Sequence, residues 1–371
     1  MYKYLRRINK KQNKRFLKYF SVFFVAMSLI AAGAVWAIMS VNENIRPPEI
    51  PDIALTLPEI LILDISNGDD IQSSADNAAN LESEDFSEIP NPHTLEGWER
   101  KPDFFTVLVI GLDGGTNANV IMVGAYDNRA QQAYIVSIPR DTRVDVQRNR
   151  RKIVSAYPVG MLGGGGHEGG IDRMKQEIQT LIGFRPDFYV LIDFDAFIQI
   201  VDAFGGIEID VPFHMRYDDP FQDLHIDIQP GLQILDGQNA LHFARFRRAN
   251  TGYQSITDYQ RIENQQLIIN TLLQDMLTPQ AILQIPTLLS AYRDHVYTDL
   301  SLGEKLWFAG QLNNIRDADA LTTYTLPTAG TSGPPAWYEF PDQAGILELV
   351  NRTINPFTQD ITADMLRIVS Q

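Results

Sequence analysis

Cysteine is absent from all 371 residues, which removes disulfide frameworks, thiolate zinc sites and cysteine nucleophiles from consideration. Acid is absent from the first 18 residues, whose eight charged side chains, from Lys3 to Lys18, are all basic. Setting those eight aside leaves 23 basic against 46 acidic residues in the remainder of the chain. A body this acidic repels nucleic acid, whose affinity depends on cations meeting phosphates, so no nucleic-acid partner is expected. Any anion it binds must be held by a local cluster of arginines. Charge of either sign is missing from Tyr19–Ser40, a run of 22 residues. Internal repeats are missing as well.

What is present gives those absences an order. Tyr19–Ser40 is long enough to cross a hydrocarbon core of roughly 30 Å. With all neighbouring basic residues before it, the positive-inside rule puts residues 1–18 in the cytoplasm and everything after Val41 outside. A cleaved signal peptide is the rival, but its apolar core spans only about 7–15 residues. An uncleaved single-pass anchor in the cell membrane is therefore expected at residues 19–40. Residues 41–102 carry Pro47, Pro48, Pro51 and Pro58, followed by an acidic Ser/Asn-rich run, and read as a solvated linker.

Residues 103–277 have the pattern of a folded core. Apolar runs of strand length stand at Phe104–Leu112, Val120–Asp127, Gln132–Ile138, Phe188–Ile192 and Ile207–Val211. Helical spacing predicts Ile171–Ile182, Phe194–Phe204, Leu235–Phe243 and Ile256–Leu277. The alternation points to an α/β architecture with helices on both faces of a sheet. Residues 278–371 still hold amphipathic segments and are expected to dock on the same domain.

Four constellations carry chemistry. Asp113 ends the first strand, where sheets of this kind place their ligand crevice; a turn-forming Asp is the plainer reading of its spacing alone. Arg140 and Asp141 follow Pro139 off the third strand, and arginine's planar fork suits phosphate oxygens. A structural Arg–Asp pair is the equal alternative there. In Leu241–Arg248 (LHFARFRR), Arg245 and Arg247 share a face if the chain is extended; a solvated basic turn competes. Asp258, Arg261 and Gln265 form one stripe on a helix, opposite Ile262, Ile269, Leu273 and Met276, and such stripes are commonly just solvated faces.

The order and wording of these strings go further. FTVLVIGLD (Phe105–Asp113), IVSIPRDTRVDV (Ile135–Val146), KIVSAYPVG (Lys152–Gly160), the VDAFGG helix end, LDGQNALHFARFRR (Leu235–Arg248) and DYQRIENQQ (Asp258–Gln266) together resemble the LytR–CpsA–Psr family of bacterial envelope proteins. The resemblance implies a mixed central sheet sandwiched by helices, with an apolar groove for a polyprenyl chain. It implies an extracytoplasmic transferase that moves a glycopolymer from a polyprenyl-pyrophosphate carrier onto peptidoglycan, with Mg²⁺ and arginines on the pyrophosphate. Residue by residue, it assigns Arg140, Arg245 and Arg247 to catalysis, and the same three with Arg261 and Gln265 to pyrophosphate binding. Asp141 is expected to orient Arg140 or act as a base, and Asp258 to support the helix. Asp113 matches the metal side. The second metal acid of the family stands here as Asn119, and Asn264 occupies a position where relatives carry arginine. Those departures leave two rivals open: a non-catalytic binder of polyprenyl lipid, and a hydrolase of the pyrophosphate link. A transcriptional regulator is a third class, opposed by the expected topology and the acidic body.

Overall fold

A computed structural model describes residues 46–50, 90, 92–113, 116–220, 224–276, 296–311, 320–333 and 337–369. The expected basic tail, the anchor at Tyr19–Ser40 and most of the linker lie outside them. Among the described residues, no helix is long and apolar enough to cross a membrane. Of the described residues, 46–48 and 301–310 group as a separate unit. It holds α6 (Leu302–Gln311) except for its last residue, and the Trp307 and Phe308 rings of that helix meet edge to face at 5.1 Å.

The larger unit is built on a six-stranded mixed sheet in the order β10-β3-β2-β1-β4-β9. Its strands are β1 (Phe104–Leu112), β2 (Ala118–Asp127), β3 (Gln132–Ser137), β4 (Phe188–Ile192), β9 (Val296–Thr298) and β10 (Leu321–Thr325). β1 runs antiparallel to β2 and parallel to β4, and β3 is parallel to β10. β1 and β2 are covered on both faces, so they read as near-continuous apolar runs rather than as alternating ones.

One face is sealed. Leu108, Ile110 and Leu112 of β1 join Ile171, Met174, Ile178 and Leu181 of α2 (Gly166–Ile182) in a single buried cluster. Ile346, Leu349 and Val350 of α7 (Gln343–Thr353) and the tail residues Phe357, Ile361 and Met365 belong to the same cluster. A short helix, α1 (Ala156–Gly160), crosses α2 so closely that a Cβ on Gly160 would stand 2.2 Å from the Gly169 carbonyl oxygen. Gly183 ends α2 at φ +84°, a conformation that suits glycine at a helix C-terminus.

Over the opposite face lies a second core. Two hairpins, β5 (Ile207–Val211) with β8 (Gly231–Leu235) and β6 (Met215–Asp219) with β7 (Leu224–Ile228), are each antiparallel. Their inward residues, among them Ile209, Met215, Ile226 and Leu235, pack on Val201, Phe243 and Ile268. Those last three come from α3 (Phe194–Ala203), α4 (Gly237–Arg245) and α5 (Asp258–Met276). The helix expected from Leu235 starts instead at Gly237, because Leu235 is the last residue of β8 and Asp236 caps the helix through Asn239 N. A small hairpin, β11 (Thr328–Thr331) with β12 (Glu339–Pro341), completes the unit.

Candidate active site

Between the second face of the sheet and helices α3, α4 and α5 is a cavity of about 630 Å³. Val107, Val109, Met122 and Ile135 line it from the sheet, and Phe197, Ile200, Ile269 and Leu272 from the helices. Its polar residues include Asn119, Asp193, Gln265 and five arginines: Arg140, Arg245, Arg247, Arg248 and Arg261. An apolar chamber bearing convergent cations suits an amphiphile with a strongly anionic head.

Each arginine arrives by a different route. Arg140 leaves the sheet after Ile138-Pro139, and its backbone carbonyl accepts from Val154 N at 3.1 Å. One of its terminal nitrogens donates to Asn119 Oδ1 at 2.9 Å, while its buried Nε has no partner among the described residues. Arg245 is the last residue of α4, where the helix's negative end favours a cation. Its guanidinium lies over the Phe194 ring at 4.6 Å, a cation–π contact. Burial pushes its pKa down and the charge of Asp113 opposes that, so Arg245 stays cationic. Phe246 turns the chain out of the helix at φ −56°, ψ 129°, so Arg245 and Arg247 belong to different backbone states rather than to one extended strand. Both still line the cavity.

On α5, Arg261 and Gln265 are buried and line the cavity, so this stripe is not a solvated face. The next residue, Gln266, donates to Ser137 Oγ at 3.0 Å and to the Tyr324 carbonyl at 3.1 Å, tying α5 to the ends of β3 and β10. Asn264 Nδ2 is buried without a partner among the described residues. The Asp258 side chain lies outside them.

Two expected roles meet different partners. Asp141 does not orient Arg140: its carboxylate accepts from Lys152 Nζ at 2.9 Å, and its carbonyl accepts from Glu339 N at 3.0 Å. It is absent from the cavity lining. The expected metal pair is also committed elsewhere. Asp113 Oδ2 accepts from Asn117 Nδ2 at 2.9 Å and its Oδ1 from Asn117 N at 3.2 Å. Asn119 offers its only side-chain oxygen to Arg140. No group of three His, Asp or Glu fit to hold a metal stands among the described residues. Mg²⁺ binds through carboxylates in near-octahedral geometry, and this donor set does not build a protein-held Mg²⁺ centre.

Sequence reasoning did not assign Arg248, Asp193 or Phe194 to the site. The crowding of three arginines in Arg245–Arg248 was the available signal for the first. Asp193 and Phe194 carried none, since Asp193 reads simply as the cap of α3, accepting from Ala196 N at 2.8 Å.

Residues 66–355 match the model of the LytR_cpsA_psr family. The chain is 28% identical over 272 residues to the polyisoprenyl-teichoic acid–peptidoglycan teichoic acid transferase TagV of Bacillus subtilis, covering 69% of this chain and 64% of that protein. It is 25% identical over 215 residues to the regulatory protein MsrR of Staphylococcus aureus, covering 56% and 60% respectively. It thus spans less than two-thirds of the length of these relatives. The crystal structure of B. subtilis TagV superposes with a TM-score of 0.55 at 24% identity, over 68% of this chain and 96% of that one. TagT bound to LIIa-WTA superposes with a TM-score of 0.52 at 18% identity, over 68% and 89%. At these identities the superpositions establish the fold.

Proposed function

This chain belongs to the LytR–CpsA–Psr family, and on that premise we propose that it is a membrane-anchored, extracytoplasmic transferase acting on polyprenyl-pyrophosphate-linked glycopolymers. The acceptor is peptidoglycan or another wall polymer. The observation that carries this reading is the meeting of five arginines in a largely apolar cavity. The polyprenyl chain occupies the apolar part, and the pyrophosphate lies among Arg140, Arg245, Arg247, Arg248 and Arg261. Residues 19–40 serve as the anchor.

An acceptor hydroxyl oxygen bonds to the glycan-side phosphorus, and the bond from that phosphorus to the bridging oxygen breaks. The electron pair leaves with polyprenyl phosphate, and the hydroxyl proton passes to solvent. Phosphoryl transfer needs mainly positioning and charge neutralisation. The converging guanidiniums supply both: Arg261 is buried and Arg140, Arg245 and Arg247 half-buried, and cations partly withdrawn from water act more strongly than in bulk. Stacking on Phe194 fixes Arg245, and Asn119 fixes Arg140.

The test incubates the full-length chain with a polyprenyl-pyrophosphate-linked saccharide and peptidoglycan fragments, with Arg140→Ala in parallel. Glycan covalently attached to the acceptor, lost in the variant, supports the transferase. Released saccharide without attachment marks a hydrolase. Tight lipid binding without turnover marks a binding module, a reading favoured only by the engagement of Asn119 where the family carries an acid.

A further inference from the structure

The loop that delivers Arg140 continues into an anomaly of charge. Residues 140–152 hold six basic side chains against two acids, in a chain of net charge −15. Four of the six have evident internal work. Arg140 donates to Asn119, and Arg143 is buried with its guanidinium over the Tyr338 ring. Arg148 is buried and forked onto Glu177, and Lys152 holds Asp141. Arg150 is exposed and Arg151 half-buried. Neither has an acidic partner among the described ion pairs.

Against this loop stands the β11–β12 hairpin. Thr142 bridges in parallel to Glu339, Arg143 N donates to the Glu339 carbonyl at 2.8 Å, and Glu339 N donates to Asp141. The Tyr338 ring carries the Arg143 guanidinium at 5.4 Å and Lys152 Nζ at 5.7 Å, so two cations clamp one aromatic. Beside it, Trp337 is 59% exposed, the most exposed large aromatic among the described residues. Tyr259, two residues before the cavity-lining Arg261, reaches the same hairpin through hydrogen bonds with Thr328 Oγ1 at 2.5 Å and Glu339 Oε2 at 3.2 Å. The hairpin is therefore joined to two of the three segments that present arginines to the cavity, the Arg140 loop and α5.

An exposed indole on a braced hairpin, next to surplus cations in an acidic protein, is a specific combination. A bare apolar patch would favour an uncharged partner, and bare cations any anion. Together they match a chain of sugar rings bearing carboxylates: the C–H face of a pyranose lies flat on an indole, and arginines pair with the acid groups. We propose that Trp337, with Arg150 and Arg151, forms a docking site for an acidic saccharide, the acceptor strand, on the Arg140 side of the cavity. The inference rests on the transferase reading and adds where the acceptor is held. Tyr338, Arg143 and Lys152 position the platform, and Trp337 makes the stacking contact.

The experiment uses the full-length chain in neutral phosphatidylcholine nanodiscs and measures affinity for solubilised peptidoglycan glycan strands bearing muramic carboxylates. N-acetylglucosamine oligomers serve as the neutral counterpart, and farnesyl pyrophosphate probes the cavity. Trp337→Ala is expected to weaken strand binding about tenfold or more, the scale of an interfacial tryptophan truncation. Trp337→Tyr should retain most of it. Arg150→Glu with Arg151→Glu should weaken the acidic strand selectively over the neutral oligomer. Farnesyl pyrophosphate affinity should stay within about twofold in every variant, since no substituted residue lines the cavity.

Unchanged strand affinity in Trp337→Ala would overturn the proposal. So would a parallel loss of farnesyl pyrophosphate, which would make the hairpin a support for the cavity. A double variant altered only in flotation with phosphatidylglycerol vesicles would assign the cations to lipid and overturn it too. Strand binding through Trp337 without glycan transfer would sink the transferase reading and leave the docking site standing. Transfer that ignores Trp337→Ala in both affinity and KM would do the reverse.

Discussion

On β1, Leu108 is sealed beneath α2 and α7, while Val107 and Val109, one residue away on either side, line a cavity. The two faces of the sheet are equally apolar in composition and are finished in opposite ways. On the sealed face the chain supplies its own cover, and α2 delivers Met174, Ile178 and Leu181 straight onto the strands. On the other face, the helices that would close the space are drawn off by two hairpins with which they share a separate core. Interiors normally pack without large voids, so an apolar space of this size on a sheet face marks a place kept for a ligand.

That contrast is open to attack from both sides, beginning with the sealed face. Ile178→Ala should cost about 2–5 kcal/mol of stability by urea unfolding, as for a core truncation. A similar loss from Val109→Ala would erase the difference between the faces. At the polar part of the cavity the effect moves from stability to chemistry. Arg140→Ala should lower glycan transfer by about 10²–10³-fold, the scale of losing one preorganised donor, with its melting temperature nearly unchanged.

The sealed face also sets a pH response. His93 packs edge-on against Phe357 at 5.0 Å, and burial holds its pKa down at about 4 against an ordinary 6.5. The unfolded chain takes up a proton below about 6.5 and the folded one does not. Stability is therefore full above that pH and falls as the pH drops toward about 4, by roughly 3 kcal/mol at the extreme. His93→Gln should flatten urea midpoints measured between those limits.

Smaller effects belong to the open face. Ile200→Asp places a charge in the apolar lining and should weaken a long polyprenyl pyrophosphate by about tenfold or more. Inorganic pyrophosphate should bind it as before, and equal losses for both ligands would mean that the lining does not hold the chain. Last, chelation with EDTA should change pyrophosphate affinity by less than about threefold in the native chain, because Asp113 and Asn119 are engaged within the protein. Asn119→Asp should increase that sensitivity. A large native response would show that the substrate recruits a metal here despite those contacts.

Much of the sealed face was legible in advance. β1 and β4 match the apolar runs residue for residue, as does β5 in the second core, because buried strands need continuous or strictly alternating apolar side chains. The hairpin strands MRYDD, LHIDI and GLQIL are not legible: each is only five residues long, the first two are about half polar, and the third opens on glycine and holds a glutamine. α7 was missed although its apolar spacing is regular; it was read only as tail. In the site, Arg140, Arg245, Arg247, Arg261 and Gln265 all line the cavity. Asp141 pairs with Lys152 and Asn119 with Arg140, 11 and 21 residues away across turns of the chain, and sequence patterning carries no signal for such contacts.

The order of amino acids alone sets the chemistry available: no thiol, an acidic body, arginines clustered at 140–151 and 245–248, and apolar runs of strand length. It also sets the family, because ordered motifs persist where overall identity is low. Which apolar residues the chain buries and which it leaves lining a cavity depends on three-dimensional packing. A valine at position 107 or 109 and a leucine at position 108 are interchangeable to any reading of hydropathy. Whether each meets a helix or a space is fixed by elements distant in sequence, through the packing of α3, α4 and α5 on hairpins rather than on the sheet.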